Sequence, residues 1–237
     1  MTHRFSVKFN TQRMLMSVVK STRGAILRQI GDWSFPKDCL LLDIGCGDGS
    51  FSSEVSRIVG ASCTIGLDMR EEDLVRARTF GVEVVRSDFN TCFLPFRDSS
   101  FHVVMASQVI ELTLRPLMFL KEIKRVLKRQ GLLVLSTPNL ASLHNSIFLL
   151  SGKPPPMFRG NIDKMLEGGG PGISYDWRTQ IFTLDILYNL ISASKFNLVG
   201  IYGVGYYPFP QRLSRLMASI DKRRAVNLVI LCEKHVD

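Results

Sequence analysis

The stretch from Leu40 to Ser50, LLLDIGCGDGS, constrains this chain more than any other. Leu40 to Asp43 reads as a buried strand. Three glycines at alternate positions, Gly45, Gly47 and Gly49, then make a tight turn, and Phe51, Val55, Ile58 and Val59 follow at helical spacing. A strand, a glycine turn and a helix in that order bring bare backbone N–H groups and a helix N-terminus up to a ligand, because glycine has no side chain in the way. Asp43 stands just before the turn, where a ligand's positive charge is read. A second apolar run ends at Asp68, nineteen residues after Gly49, where a carboxylate accepts from both hydroxyls of a ribose. The glycine spacing is not the Gly-x-Gly-x-x-Gly of dinucleotide sites, because position 50 is Ser50, and no Gly-Lys-Ser/Thr follows to make a nucleotide-triphosphate loop.

Four segments together resemble the motifs of class I S-adenosylmethionine-dependent methyltransferases. They are Leu41 to Gly49, Gly66-Leu67-Asp68-Met69, Ser87-Asp88-Phe89 and Leu94 to Phe101, in the family's own order. The nearest subgroup is the ubiquinone- and menaquinone-biosynthesis type, and the likeness is strong over residues 38–140. It implies S-adenosylmethionine as cofactor. Asp43, Gly45, Cys46, Gly47 and Gly49 would sit at its methionine end, Asp68 at the ribose, Met69 on one adenine face, Asp88 and Phe89 at the adenine edge, and Ser107 and Gln108 at the fourth strand tip. The chain departs from the subgroup at Glu111-Leu112, where Glu-His is usual, and before Phe182-Thr183, where a His is usual. Both departures fall on the acceptor side.

The remaining sequence suits a single domain. The chain has 237 residues, 46% of them apolar, and no apolar run long enough to span a membrane. Strands at 40–43, 63–67, 82–85, 101–106 and 132–136 alternate with helices at 51–59, 71–79 and about 116–129, the last closed by Gly131 as a C-cap. In that helix Lys121, Lys124, Arg125, Lys128 and Arg129 form the wet side. The alternation predicts a doubly wound, Rossmann-like α/β fold: a seven-stranded, mostly parallel sheet with helices on both faces and, as the resemblance implies, an antiparallel last strand. The expected divisions are an N-terminal helical extension (1–37), a cofactor half (38–140), a lid or acceptor insertion (141–182) and the rest of the sheet (183–237). Residues 151–176 carry four of the ten prolines and six of the eighteen glycines, the composition of a lid or a loop. Thr183 is placed to cap a helix.

The charge and the cysteines narrow the context. The net charge is +9, and residues 2–28 hold six Lys/Arg and no acid. Arg212, Arg215, Lys222, Arg223 and Arg224 form a second cluster. Both read either as solvated helix faces or as surfaces for an anionic partner. The acid-free N-terminus also has the composition of a transit peptide, although the expected location is the cytoplasm. The five cysteines make no Cys-x-x-Cys pair and no metal-ligand spacing, so they read as reduced thiols and no metal site is expected.

The methyl group of a sulfonium is already activated, so alignment and exclusion of water matter more than a nucleophile. His144, Glu111 and Tyr175 are the candidate bases by location, and Arg159 and Arg178 the candidate anchors for an anionic acceptor. His102 is expected to be structural. The position after the fourth strand reads Ala106-Ser107-Gln108-Val109. It lacks the Asn/Asp-Pro-Pro-aromatic grip of enzymes that methylate nucleic-acid bases and the acidic ligand of metal-dependent catechol enzymes. The expected acceptor is a small or lipid-linked molecule methylated on oxygen or carbon, not DNA. The alternatives are an RNA or protein acceptor met by the basic surfaces, or a methyltransferase-like partner protein without turnover.

Overall fold

The computed structural model describes residues 11–91, 93–155 and 180–235. Its elements run α1 (Thr11–Gly31), β1 (Leu40–Ile44), α2 (Ser50–Val59), β2 (Cys63–Asp68), α3 (Glu71–Thr79), β3 (Glu83–Arg86), β4 (Phe101–Ser107), α4 (Pro116–Val126), β5 (Leu127–Pro138), α5 (Leu143–Leu150), α6 (Leu184–Ala193), β6 (Phe196–Val204), α7 (Gln211–Ile220) and β7 (Asn227–Lys234). Seven strands form one sheet in the order β3-β2-β1-β4-β5-β7-β6. β1 pairs in parallel with β2 and β4, and β7 runs antiparallel to both β5 and β6. The doubly wound architecture expected from the sequence is therefore the one observed. The strand order reverses between β1 and β4, and at such a switch point the crossovers diverge and leave a crevice beyond the strand tips.

The sheet is covered twice, which explains why its inner strands are apolar throughout rather than alternating. Leu42, Ile44, Val104, Leu133, Leu135 and Ile230 point to one face and meet Leu120 and Ile123 of α4 and Leu187 and Ile191 of α6. Leu41, Val103, Met105, Val134 and Leu231 point to the other and meet Ile26 and Ile30 of α1 and Phe51 and Val55 of α2. Thr183 caps α6 as expected, its hydroxyl accepting from the Ile186 amide at 3.4 Å.

Three expectations are corrected. The helix placed at 116–129 ends at Val126, and the strand expected from Leu132 begins at Leu127, paired with Phe101. Gly131 is accordingly not a helix cap. A Cβ there would meet the Lys128 carbonyl oxygen at 2.8 Å, so glycine is needed for strand packing. Arg125 is not simply on the wet side. It donates to the carbonyls of Leu94 and Phe96 and pairs with Glu122 and Asp98, which clamps the 94–98 loop onto α4. Lys128, too, is tied down: its ammonium meets His102 Nε2 at 2.9 Å, while His102 Nδ1 accepts from the Leu40 amide at 2.9 Å. His102 thus joins β1 to β4, the structural role expected of it.

Candidate active site

The crevice is built from the loops that follow β1, β2 and β4. At the end of β1, the amides of Gly45 and Cys46 donate to the Leu67 carbonyl at 2.7 and 3.2 Å, which folds the turn toward β2. Gly45, Gly47 and Gly49 all have positive φ (73°, 53° and 75°), a region costly for side-chained residues. Their surroundings differ. A Cβ on Gly45 would strike Val109 at 2.5 Å and one on Gly49 would strike Ala77 at 2.7 Å, whereas one on Gly47 would meet nothing within 4 Å. Gly45 and Gly49 are small because protein packs against them, whereas Gly47 has open space where a side chain would stand.

Two carboxylates flank this turn. Asp68, at the tip of β2, accepts from the Gly47 amide at 3.0 Å through one oxygen and from the Met69 and Arg70 amides at 2.7 and 3.1 Å through the other. It holds the turn shut against β2 and keeps part of its acceptor capacity for a ligand. Asp43 lies beneath the turn, 3% exposed, and accepts from the Ser52 hydroxyl at 2.5 Å. Burial raises its carboxyl to about 7. The Ser52 hydrogen bond opposes that rise, the charge of Asp68 adds to it and the nearby Arg23 opposes it.

The other expected residues fall around this centre. The Cys46 side chain turns away from the crevice into the notch left by Gly66, where a Cβ would meet its sulfur at 2.6 Å; burial pushes its thiol pKa well up. Asp48 caps the first turn of α2, accepting from the Ser50 amide and hydroxyl at 3.1 and 2.7 Å. Met69 is half-buried after β2, and its carbonyl accepts from Arg86. Asp88 accepts from the Asn90 amide at 2.8 Å, and Phe89 packs edge-on against Phe119. Ser107 and Gln108 both reach Ser136 Oγ, at 2.9 and 3.2 Å, so they lock the tip of β4 to β5. Gln108 does this from a positive φ of 60°.

Of the candidate bases, Glu111 is buried and accepts from the Thr137 hydroxyl at 3.0 Å. His144 is buried on α5, edge-on to Tyr207, and burial lowers its imidazole to about 4. At neutral pH it is uncharged and a weak proton acceptor. Tyr175, Arg159, Arg178 and most of the expected lid at 151–176 lie outside the described residues. From Gln180 on, the chain is tied to this region, the Gln180 amide donating to the Glu111 carbonyl and the Leu140 amide to the Phe182 carbonyl.

Sequence reasoning missed two residues. Arg23 of α1 reaches over the turn, 3.4 Å from Ser50 Oγ, with its guanidinium 5.0 Å above the Phe51 ring. Ser52 is the buried partner of Asp43. The acid-free run of α1 was the only signal for Arg23.

The sequence and the fold are similar to those of known proteins. Residues 42–135 match the family described as a methyltransferase domain. A Mycobacterium tuberculosis (strain H37Rv) protein named as an S-adenosylmethionine-dependent methyltransferase is 35% identical over 99 residues, 42% of this chain and 35% of its own. The chain thus spans about a third of the length of that relative. A ubiquinone biosynthesis O-methyltransferase of Caulobacter sp. (strain K31) is 28% identical over 213 residues, 87% of this chain and 78% of its own. Among solved structures, an S-adenosylmethionine-dependent methyltransferase from Mesorhizobium loti superposes with a TM-score of 0.63 over 91% of this chain and 99% of its own, at 20% identity. That last likeness is one of fold. The stretch that carries the glycine turn and both acids lies within the residues that match the methyltransferase-domain family.

Proposed function

We propose that this protein, whose residues 42–135 match the methyltransferase-domain family, transfers a methyl group from S-adenosylmethionine to an oxygen or carbon of a small or lipid-linked acceptor. The observation that carries this reading is the open space beside Gly47 in a turn held by Asp68 and underlain by Asp43. The residues present fit the cofactor. The Gly47 face and the N-terminus of α2 suit the cofactor's carboxylate, and Arg23 adds a cation on that side. Asp68 has acceptor capacity left for the ribose. Asp43, from below, makes the turn favourable to the cofactor's positive charges when ionised. Met69, Asp88 and Phe89, after β2 and β3, are assigned to the adenine. When bound, the cofactor supplies an already activated methyl group. The chain's own task is to hold the acceptor in line with that methyl and to keep water out.

Support for an apolar acceptor comes from exposed apolar side chains after β5: Ile147, Leu149 and Leu150 of α5 and Ile181, Leu150 at 89%. The Caulobacter relative's name, an O-methyltransferase of ubiquinone biosynthesis, favours an oxygen acceptor.

Calorimetry tests the cofactor site. Wild-type protein should give a saturable heat with S-adenosylmethionine, and Asp68→Ala should lose it while still melting cooperatively. Absence of heat from the wild type overturns the reading. Incubation of extracts with methyl-labelled cofactor, followed by mass spectrometry, then identifies the acceptor.

A further inference from the structure

On the face of the sheet that α1 covers, a groove of about 520 Å³ runs between α1, the end of β6 and α7. Its charge is one-sided. Lys20 and Arg28 line it from α1, and Arg215 and Lys222 line it from α7 and the turn that follows. Among the described residues, no carboxylate lines it. Among the described residues, none of the four cations forms an ion pair, whereas the neighbouring Arg223 and Arg224 pair with Asp185 and Asp221. Lys222 lies 6.0 Å above the Tyr202 ring. Neutral donors stand between the charges, Ser21 and Gln211 among them.

Two things set this groove apart from a solvated basic helix face. First, it is concave, and the sequence keeps it so. A Cβ on Gly203 would meet the Ala218 carbonyl oxygen at 2.5 Å, so glycine lets α7 close onto β6 and form one wall. Second, its cations come from segments nearly 200 residues apart and converge on one space. Like charges gathered around a concavity repel one another, and an anion in their midst removes that cost. Two guanidiniums and two ammoniums match the oxygens of a phosphoryl group better than a lone carboxylate, since arginine binds phosphate through paired N–H groups.

We propose that this groove is a binding site for a phosphoryl group, carried either by a soluble diphosphate or by the headgroup of an anionic lipid. The lipid source is raised by the ridge beside the groove, where Leu213, Leu216 and Ile220 of α7 are 42%, 55% and 71% exposed. Its test reads binding alone and does not depend on methyl transfer.

The full chain is titrated with sodium pyrophosphate at low salt. Separately, it is sedimented with vesicles of phosphatidylglycerol and with vesicles of phosphatidylcholine. Wild-type protein should bind pyrophosphate, or sediment with phosphatidylglycerol and not with phosphatidylcholine. Arg28→Gln with Arg215→Gln should weaken that binding at least about tenfold, without changing the thermal midpoint. Lys121→Gln with Arg129→Gln removes equal charge from an exposed surface elsewhere and should leave binding intact. Pyrophosphate binding alone assigns the soluble source, and groove-dependent sedimentation assigns the headgroup. Equal losses in the two double variants, or no binding of either probe at millimolar phosphate, overturn the proposal. So does groove-dependent binding of single-stranded RNA without binding of either probe.

Discussion

Asp43, buried beneath the turn, costs the fold stability when it ionises. Its carboxyl titrates near 7 when folded and in the ordinary carboxylate range when unfolded. The unfolded chain therefore gives up this proton at lower pH than the folded one. Between about pH 4 and pH 7 stability falls as pH rises, and above 7 the loss is constant. Asp43→Asn, which still offers an oxygen to Ser52, should melt at a higher temperature than wild type, with the gap wider at pH 8 than at pH 5. Cofactor affinity should move the other way. Below pH 7 the protonated Asp43 no longer attracts the sulfonium and ammonium, so affinity should drop by up to about tenfold per pH unit in wild type and stay level in Asp43→Asn. Calorimetry and thermal melts across that range check both. Asp43 and Asp68 were legible in the sequence because acids at successive strand tips need only the strand–turn–helix pattern to be placed. Arg23 and Ser52 were not, since their roles depend on α1 folding back over α2 and on which way the first turn of that helix faces.

At the scale of the element, the glycine turn contains three residues of one type with different reasons for being small. Gly49→Ala forces a Cβ onto the Ala77 backbone and keeps an unfavourable φ, so it should cost about 1–3 kcal/mol of stability. Gly47→Ala bears only the φ cost, roughly 1–2 kcal/mol. Its methyl group stands in the crevice, so it should lose cofactor affinity out of proportion to its stability. Urea unfolding beside calorimetry separates the two. The turn was legible as a turn, but which glycine faces the ligand depends on tertiary neighbours. The same limit explains the misplaced end of α4. Leu120, Ile123 and Leu127 continue a helical stripe, yet Leu127 is equally a strand residue, and pairing with Phe101 claims it. The charged run after it suits either structure, and Gly131 imitates a cap that backbone crowding explains instead.

Across the whole molecule, α1 is stitched to the sheet by a buried bond from the Asn227 side-chain amide to the Thr22 hydroxyl at 2.9 Å, across 205 residues of sequence. Thr22→Val keeps the shape and strands that amide, so it should destabilise the protein by about 1–3 kcal/mol in urea unfolding. The two-faced apolar strands made the sheet and its layers readable in advance. Long-range ties of this kind leave no local trace in a sequence.

The position of β7 between β5 and β6 carries a consequence for synthesis. On a ribosome, β6 emerges with no neighbour to bond, because the strand that joins it to the sheet is made after it. Until residues 227–234 are out, the partner edges of both β5 and β6 stay bare, and α1 waits for Asn227. The late strand acts as a keystone, and a growing chain that stalls just short of it would expose two sticky edges at once.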